Sequence, residues 1–290
     1  MNVPRVLLSH DPLYSALHFR HAIIATLMVN LWVGLLLGLL LSAIIGYAGY
    51  RRSVLARSGW LGAIITGTIV FGFGGFEAAL LLIAFFVSSS LLTRYQAASK
   101  LEVAETFSKG GQRDFGQAMT NGGIATVTAI IFGLTTNPMA FAAFTGALAA
   151  ANADTWATEL GVLAKRAPRL ITTGREVRRG TSGGVTLEGT LAAVAGAAVI
   201  GLLAALIRAD GVLLPVAVVA GTIGSLFDSV LGATVQGIYY SAARGKESER
   251  VVDPDGTSNQ LMRGRRWINN DVVNFASTLI GALIAGMMSR

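Results

Sequence analysis

Apolar residues run through this chain in stretches long enough to cross a bilayer, broken by short polar connections. A helix needs about 20 apolar residues to span the hydrocarbon, and shorter stretches are tolerated in buried positions. On that measure the sequence predicts eight spans, at 22–49, 59–74, 76–93, 119–135, 138–160, 185–207, 212–240 and 269–289. The first is too long for the apolar region of a cleaved signal peptide, and no small-residue cleavage site follows it, so it reads as a permanent, tilted helix. Residues 1–21, with Pro4 and Pro12, read as an interfacial segment ahead of a single transmembrane catalytic domain over 22–290. The connections near 75, at 136–137 and at 208–211 contain Gly, Asn-Pro or Asp-Gly and read as tight turns.

Composition narrows the class. Apolar residues make up 53% of the 290 and charged ones only 13%, against roughly 25% charged in a soluble domain. A disordered chain, a coiled coil and an ordinary cytosolic enzyme are excluded. The expected fold is an all-α, polytopic transmembrane helical bundle, and its 35 glycines suit close helix packing.

The formal charge of +7 then acquires a location. Of the 23 Lys and Arg residues, all but Arg5, Arg20, Arg208 and Arg290 fall in the loops 50–58, 94–118, 161–184 and 241–268. Alternating spans place those loops on one face. Positive loops mark the cytoplasmic side, so both termini are expected on the non-cytoplasmic side of a bacterial plasma membrane. The basic surplus is topology, and nucleic acid is not an expected partner; the loops carry few aromatics beyond Tyr95 and Trp267.

Acidic residues within spans are costly and mark candidate sites. Asp154 and Glu159 lie near the cytoplasmic end of the fifth span, and Asp228 in the cytoplasmic half of the seventh. Glu188 and Asp271 open the sixth and eighth, Asn121 opens the fourth, and Asn152 precedes Asp154 by two. Glu77 sits apart, at the outer turn. The plain alternative is that each carboxylate is a boundary residue facing headgroups or paired with an Arg. Carboxylates and amides converging at one depth suit a hard cation such as Mg²⁺, which takes oxygen ligands and substrate phosphates.

A second element is the run Arg178, Arg179, Gly180, Thr181, Ser182, Gly183, Gly184, leading into the sixth span. Glycine-rich backbone before a helix presents free N–H groups to an anion, although a simple glycine-rich cap reads the same way. Asn121-Gly122-Gly123 repeats the idea. Thr120-Asn-Gly-Gly with Asp154-Thr155 parallels Thr181-Ser-Gly-Gly with Asp228-Ser229, so a parallel internal duplication is one reading. There is no cysteine, and His10, His18 and His21 all precede the spans. That leaves no thiolate zinc site, no HExxH metalloprotease site and no Ser-His-Asp triad.

The run from Asn152 to Gly161, with Pro168 to Thr173, Gly180 to Gly184, Gly224 to Gly232, Gln236 and the stretch 269–274, resembles an integral membrane family once known only as a domain of unknown function. That family includes the phytyl-phosphate kinase of the tocopherol and phytol salvage pathway, and the resemblance covers roughly 25–289. It implies phosphoryl transfer from a nucleoside triphosphate, CTP foremost, to a prenyl monophosphate. Asp154 and Asp228 would then hold Mg²⁺, supported by Glu159 and Asn152. The 180–184 loop would cradle nucleotide phosphates with Arg178, Arg179 and Lys165. Asn121, Ser229, Gln236, Asn270 and Asn274 would complete the substrate site, and the prenyl chain would lie between helices that the sequence does not locate. A CDP-lipid synthase, a prenol kinase and a transporter are the alternatives. The oligomeric state, a homodimer among the options, stays open.

Overall fold

The structure, a computed structural model, describes residues 12–97, 99–100 and 112–290, with side chains from position 30 onward. Among the described residues there are seven helices: α1 (Pro12–Arg51), α2 (Arg57–Arg94), α3 (Phe115–Thr135), α4 (Pro138–Gly161), α5 (Leu187–Arg208), α6 (Leu213–Thr234) and α7 (Asn270–Met288). Two small antiparallel sheets join them. One pairs β1 (Arg169–Leu170) with β2 (Gly184–Val185); the other has the order β4-β3-β5, from β3 (Ile238–Ser241), β4 (Lys246–Ser248) and β5 (Gln260–Arg263).

The 38 residues of α2, as one straight rod, would reach about 57 Å, far beyond a bilayer core. The chain breaks at Gly75, where φ is 68° and ψ is −166°, a backbone state that glycine adopts without a Cβ penalty. Both ends of α2 then meet at one place. Arg113 exchanges backbone hydrogen bonds with Val54 and Ala56, and its guanidinium lies 5.5 Å from the Phe85 ring. The fold-back yields two limbs, matching the expected spans at 59–74 and 76–93. Gly75 turns at the opposite end of the bundle, where Glu77 pairs with Arg208 at 2.7 Å. Glu77 is therefore a paired boundary residue.

Among the described residues, six helices are long and apolar enough to cross a membrane. The remaining one, α4, is rich in Ala and Gly and is wrapped by the others. From Ala147 to Ala153 its residues are all buried, Ala147, Leu148, Ala149 and Ala150 completely. A helix enclosed by protein needs small side chains more than it needs hydropathy. A Cβ on Gly146 would stand 2.4 Å from the Gly281 carbonyl oxygen, and one on Gly281 would stand 2.6 Å from that of Gly146. Only backbone fits where α4 and α7 cross. Outward side chains stay apolar: Leu134, Leu187 and Leu206 are about 70% exposed, as a lipid-facing surface requires.

Local chemistry explains the boundaries. Asn137 caps α4 by accepting from the Met139 amide, with Pro138 opening the helix. Thr136 and Ala209 end α3 and α5 in left-handed conformations. Three expectations need correction. The span over 212–240 ends as a helix at Thr234, and its last residues enter β3, where Ile238 and Tyr239 are buried beneath the sheet. The loops 161–184 and 241–268 contain strands, so the helical bundle carries small sheets on its basic face. The helix α3 begins at Phe115, capped by Asp114, which puts Asn121-Gly122-Gly123 inside a helix with their amides spent on it. That is not an anion cap, and it departs from Gly183 and Gly184, which precede α5. The helix α1 runs unbroken from Pro12, so the expected interfacial segment 1–21 falls partly in helix and partly outside the described residues.

Candidate functional site

On the basic face, the ends of α4, α5, α6 and α7 surround a polar cavity of about 440 Å³. Asp154 and Asp228 line it from adjacent helices, at the depth where the closed Ala packing of α4 gives way to open space. Asp154 has one distant partner, the Ser225 hydroxyl at 3.5 Å. Among the described residues, Asp228 Oδ2 is enclosed with no hydrogen-bond partner. An unsatisfied buried carboxylate oxygen is costly, which makes it a candidate ligand position.

Glu249, beyond β4, lines the same cavity. Among the described residues, no group of three acidic or histidine side chains forms a complete metal cage. The donors present suit Mg²⁺ in its usual mode, one or two carboxylates completed by water and substrate phosphates. The orphaned Asp228 oxygen would be available to such an ion.

The glycine loop forms the opposite wall. Gly180, Thr181, Ser182, Gly183 and Gly184 all line the cavity. Gly180 and Gly183 have φ of 82° and 83°, left-handed backbone that glycine adopts without a Cβ penalty. The amides of Thr181 and Gly184 bond within the loop, to Arg178 and Thr181 carbonyls. Those of Gly180, Ser182 and Gly183 have no protein acceptor among the described residues, the arrangement of an anion-binding nest. Gly183 is also sterically required. A Cβ there would sit 2.6 Å from the Ala233 nitrogen of α6.

The loop is fixed to α6 by side chains. Arg263 of β5 donates to the Gly232 carbonyl at 2.7 Å and to the Ser182 carbonyl at 3.1 Å. Burial lowers the Arg263 pKa, opposed by the charges of Glu247 and Glu249. The Ser182 hydroxyl donates to Gln236 at 2.7 Å, and the Gln236 amide donates to Glu249 at 3.0 Å. One chain of bonds thus sets the glycine loop, α6 and the acidic wall in register.

Helix starts complete the rim. Thr186 caps α5, accepting from the Gly189 amide, and Asn269 caps α7, accepting from Val272. Both N-termini open on the cavity, bringing their positive dipole ends to it. Asn270 and Asn274, one helical turn apart, face inward together, and Asn121 and Ser229 also line the wall.

Basic side chains border the far side. Arg179 lines the cavity and donates to the Ala164 carbonyl at 2.6 Å. Arg113 is a rim cation; burial lowers it to about 10, with Glu159 pulling the other way, so it stays charged at neutral pH. Glu159 itself is engaged. It accepts from Lys100 and from the Thr93 hydroxyl, both at 2.7 Å. It lines the cavity as half of an ion pair with the segment after α2, and Thr93 joins it to the end of α2.

Four predicted residues stand elsewhere. Asn152 is fully buried, its amide accepting from Ser88 at 3.0 Å and Ser89 at 3.1 Å and donating to the Gly196 carbonyl at 2.8 Å. It bridges helices behind the wall. Gln236 is buried and supports the loop, as described. Lys165 and Arg178 are exposed and do not line the cavity. Sequence reasoning missed Glu249, Arg113, Lys100 and Gln117 as cavity residues. The first lies in a loop where a charge carries no membrane cost, and the others among loop cations or at a helix start.

Comparison with known proteins places the chain. It is 34% identical to Protein PGR of Arabidopsis thaliana, over 86% of this chain and 94% of that protein. It is 32% identical to an uncharacterized membrane protein, MJ0933, of Methanocaldococcus jannaschii, over 79% of this chain and 84% of the relative. It is 27% identical to Protein VTE6, chloroplastic, of Arabidopsis thaliana, over 81% of this chain and 66% of that protein. No solved structure matches it. Residues 40–282 match the family described as integral membrane protein DUF92, and with that extent of match the chain belongs to this family.

Proposed function

We propose that the chain is a membrane-embedded prenyl-phosphate kinase. It moves the terminal phosphoryl group of a nucleoside triphosphate, CTP by the family resemblance, onto phytyl, geranylgeranyl or farnesyl monophosphate. The observation that carries this reading is the pairing of Asp154 and the orphaned Asp228 oxygen with a facing glycine loop whose amides at Gly180, Ser182 and Gly183 are unspent. Membership in a family that includes a phytyl-phosphate kinase supports it.

Phosphoryl transfer asks for positioning and charge neutralisation more than for covalent chemistry. The nest and the N-termini of α5 and α7 hold the nucleotide phosphates, while Arg113 and Arg179 draw the anionic reactants together. An ionised oxygen of the acceptor monophosphate attacks the γ-phosphorus. The bond from that phosphorus to the bridging oxygen breaks, and the nucleoside diphosphate leaves with the electron pair. The attacking oxygen carries no proton, so no general base is needed, and the lack of histidine at the site fits. Mg²⁺, held by Asp154 and Asp228 directly or through water, would neutralise charge on the transferring group. The basic loops around this cavity support a cytoplasmic site, where a soluble nucleotide is available. Beneath it Phe144, Leu148 and Ala149 are fully buried, and this closed floor supports an enzyme rather than a transport path.

The test is purified protein in detergent with Mg²⁺, offered prenyl monophosphates of several lengths against CTP, ATP, GTP and UTP, with products read by mass spectrometry. A prenyl diphosphate with the matching nucleoside diphosphate is expected. A CDP-lipid, a product formed only from free prenol, or nucleotide-independent flux into sealed vesicles would each overturn the reading.

A further inference from the structure

A second, apolar cleft of about 110 Å³ runs between α1, both limbs of α2 and α3. Its walls include Leu41, Ile45, Phe71, Leu82, Ile83 and Phe86. The two hydroxyls on it are turned back on their own helices: Ser42 donates to the Gly38 carbonyl at 2.6 Å and Thr66 to that of Gly62 at 2.9 Å. On α1 the lining runs from Gly38 to Gly46, about 12 Å along the axis at 1.5 Å per residue. Leu41, on the lip, is 43% exposed, so the cleft opens toward lipid.

Three residues, Arg113, Gln117 and Asn121, line both this cleft and the polar cavity. They form the neck between an apolar slot and the carboxylate site. All three are polar, and beside the Arg113 cation the Gln117 and Asn121 amides carry N–H groups able to donate to an anion. The Arg113 guanidinium rests over Phe85 at 5.5 Å, a cation held at the mouth of a hydrocarbon slot. An amphiphile with an anionic head and a linear apolar tail matches this sequence of surfaces.

We propose that the cleft holds the isoprenoid tail of the acceptor and that the neck of Arg113, Gln117 and Asn121 holds its phosphate against the Asp154 and Asp228 side of the cavity. This rests on the kinase reading for the identity of the ligand. The head is fixed at the neck, and the tail runs between α1 and α2 with its far end free to leave past Leu41 into the bilayer. Chain-length selectivity is then set by the cleft wall, and the requirement for a phosphate by the neck.

The experiment uses the wild-type chain in nanodiscs and a farnesyl monophosphate bearing a tail diazirine, with cross-linked peptides mapped after photolysis. Labelling within 38–46, 63–71 and 82–86, removed by excess geranylgeranyl monophosphate and not by phosphatidylcholine, is the expected result. Labelling elsewhere, or labelling in the cleft removed equally by phosphatidylcholine, would overturn the proposal. The readout needs no turnover, so a failed kinase assay with intact, competed labelling removes the kinase reading and leaves the cleft assignment standing. In active protein, Ile83→Trp should lower the ratio of kcat/KM for farnesyl over isopentenyl monophosphate at least tenfold. Leu206→Trp, on the lipid face of α5, should leave that ratio as it is. An unchanged ratio in Ile83→Trp would likewise contradict the assignment.

Discussion

Asp228 gives up hydrogen bonding that most buried carboxylates obtain, and this has a measurable consequence. Asp228→Asn and Asp154→Asn should each lower turnover by about a hundredfold or more, the scale of losing one well-placed electrostatic group. Their melting temperatures should equal or exceed wild type, because an amide is cheaper to bury unpaired than a carboxylate. A loss of both stability and activity would mark these residues as structural instead. Arg113 offers a pH test. Burial lowers it from its ordinary range to about 10, so its charge is complete at pH 8 and disappears as pH passes about 10. Binding of a prenyl monophosphate, followed by thermophoresis, should weaken across that range in wild type, and the step should be absent in Arg113→Gln. Helix rotation explains which site residues were legible in the sequence. Asn270 and Asn274 are about 40° apart around a helix and share a face, whereas Asn152 is about 200° from Asp154 and so points behind the wall. Depth in the membrane, which drew attention to both, carries no information on rotation. Glu249 had no such signal, since a carboxylate in a loop costs nothing.

Elements hold the site through a few replaceable contacts. Gly183→Ala combines a positive φ of 83° with a Cβ only 2.6 Å from backbone of α6. It should cost about 1–3 kcal/mol from the backbone conformation alone, with more from the clash. A drop in melting temperature together with weakened nucleotide binding is expected; an unperturbed variant would show that the loop is not docked this way. The Lys100–Glu159 pair, with side chains 9% and 18% exposed, ties the segment after α2 to α4, and Lys100 also donates to the Leu92 carbonyl of α2 at 2.7 Å. Either Lys100→Met or Glu159→Gln should cost about 3 kcal/mol by stranding the partner, and the double variant should recover much of it. The helices and their turns were legible, because Gly75, Asn137-Pro138 and Asp210-Gly211 interrupt long apolar runs. The strands were not: 238–241 continues the hydrophobicity of α6, and only pairing with 246–248 and 260–263 shows that it has left the membrane helix. The parallel between Asn121-Gly122-Gly123 and the 182–184 segment also misled, since the same glycine pair lies inside the helix in α3, with only Gly122 against a neighbour, Thr66, and in a turned loop before α5.

At the scale of the molecule, the bundle sets an apolar belt, a closed Ala-rich centre and a polar cavity on the basic face. Topology can be checked directly, because the chain has no cysteine to remove. Gly211→Cys, at an exposed turn with open space around it, should react with a membrane-impermeant maleimide from outside intact cells. Arg166→Cys, on the basic face, should react only after permeabilisation; the reverse pattern would invert the bundle. The pattern of apolar runs and charged loops was enough to assign this architecture, because it depends on hydropathy and charge alone. The alignment of two cavities through one neck was not, because it depends on which helices α2 folds back against. The most direct test of the whole account follows the γ-phosphate of an isotopically labelled nucleoside triphosphate through one turnover with a prenyl monophosphate. The account predicts the label in the terminal phosphate of the prenyl diphosphate, dependent on Asp154 and Asp228. Label released in pyrophosphate, with the nucleotide joined to the lipid, would contradict it.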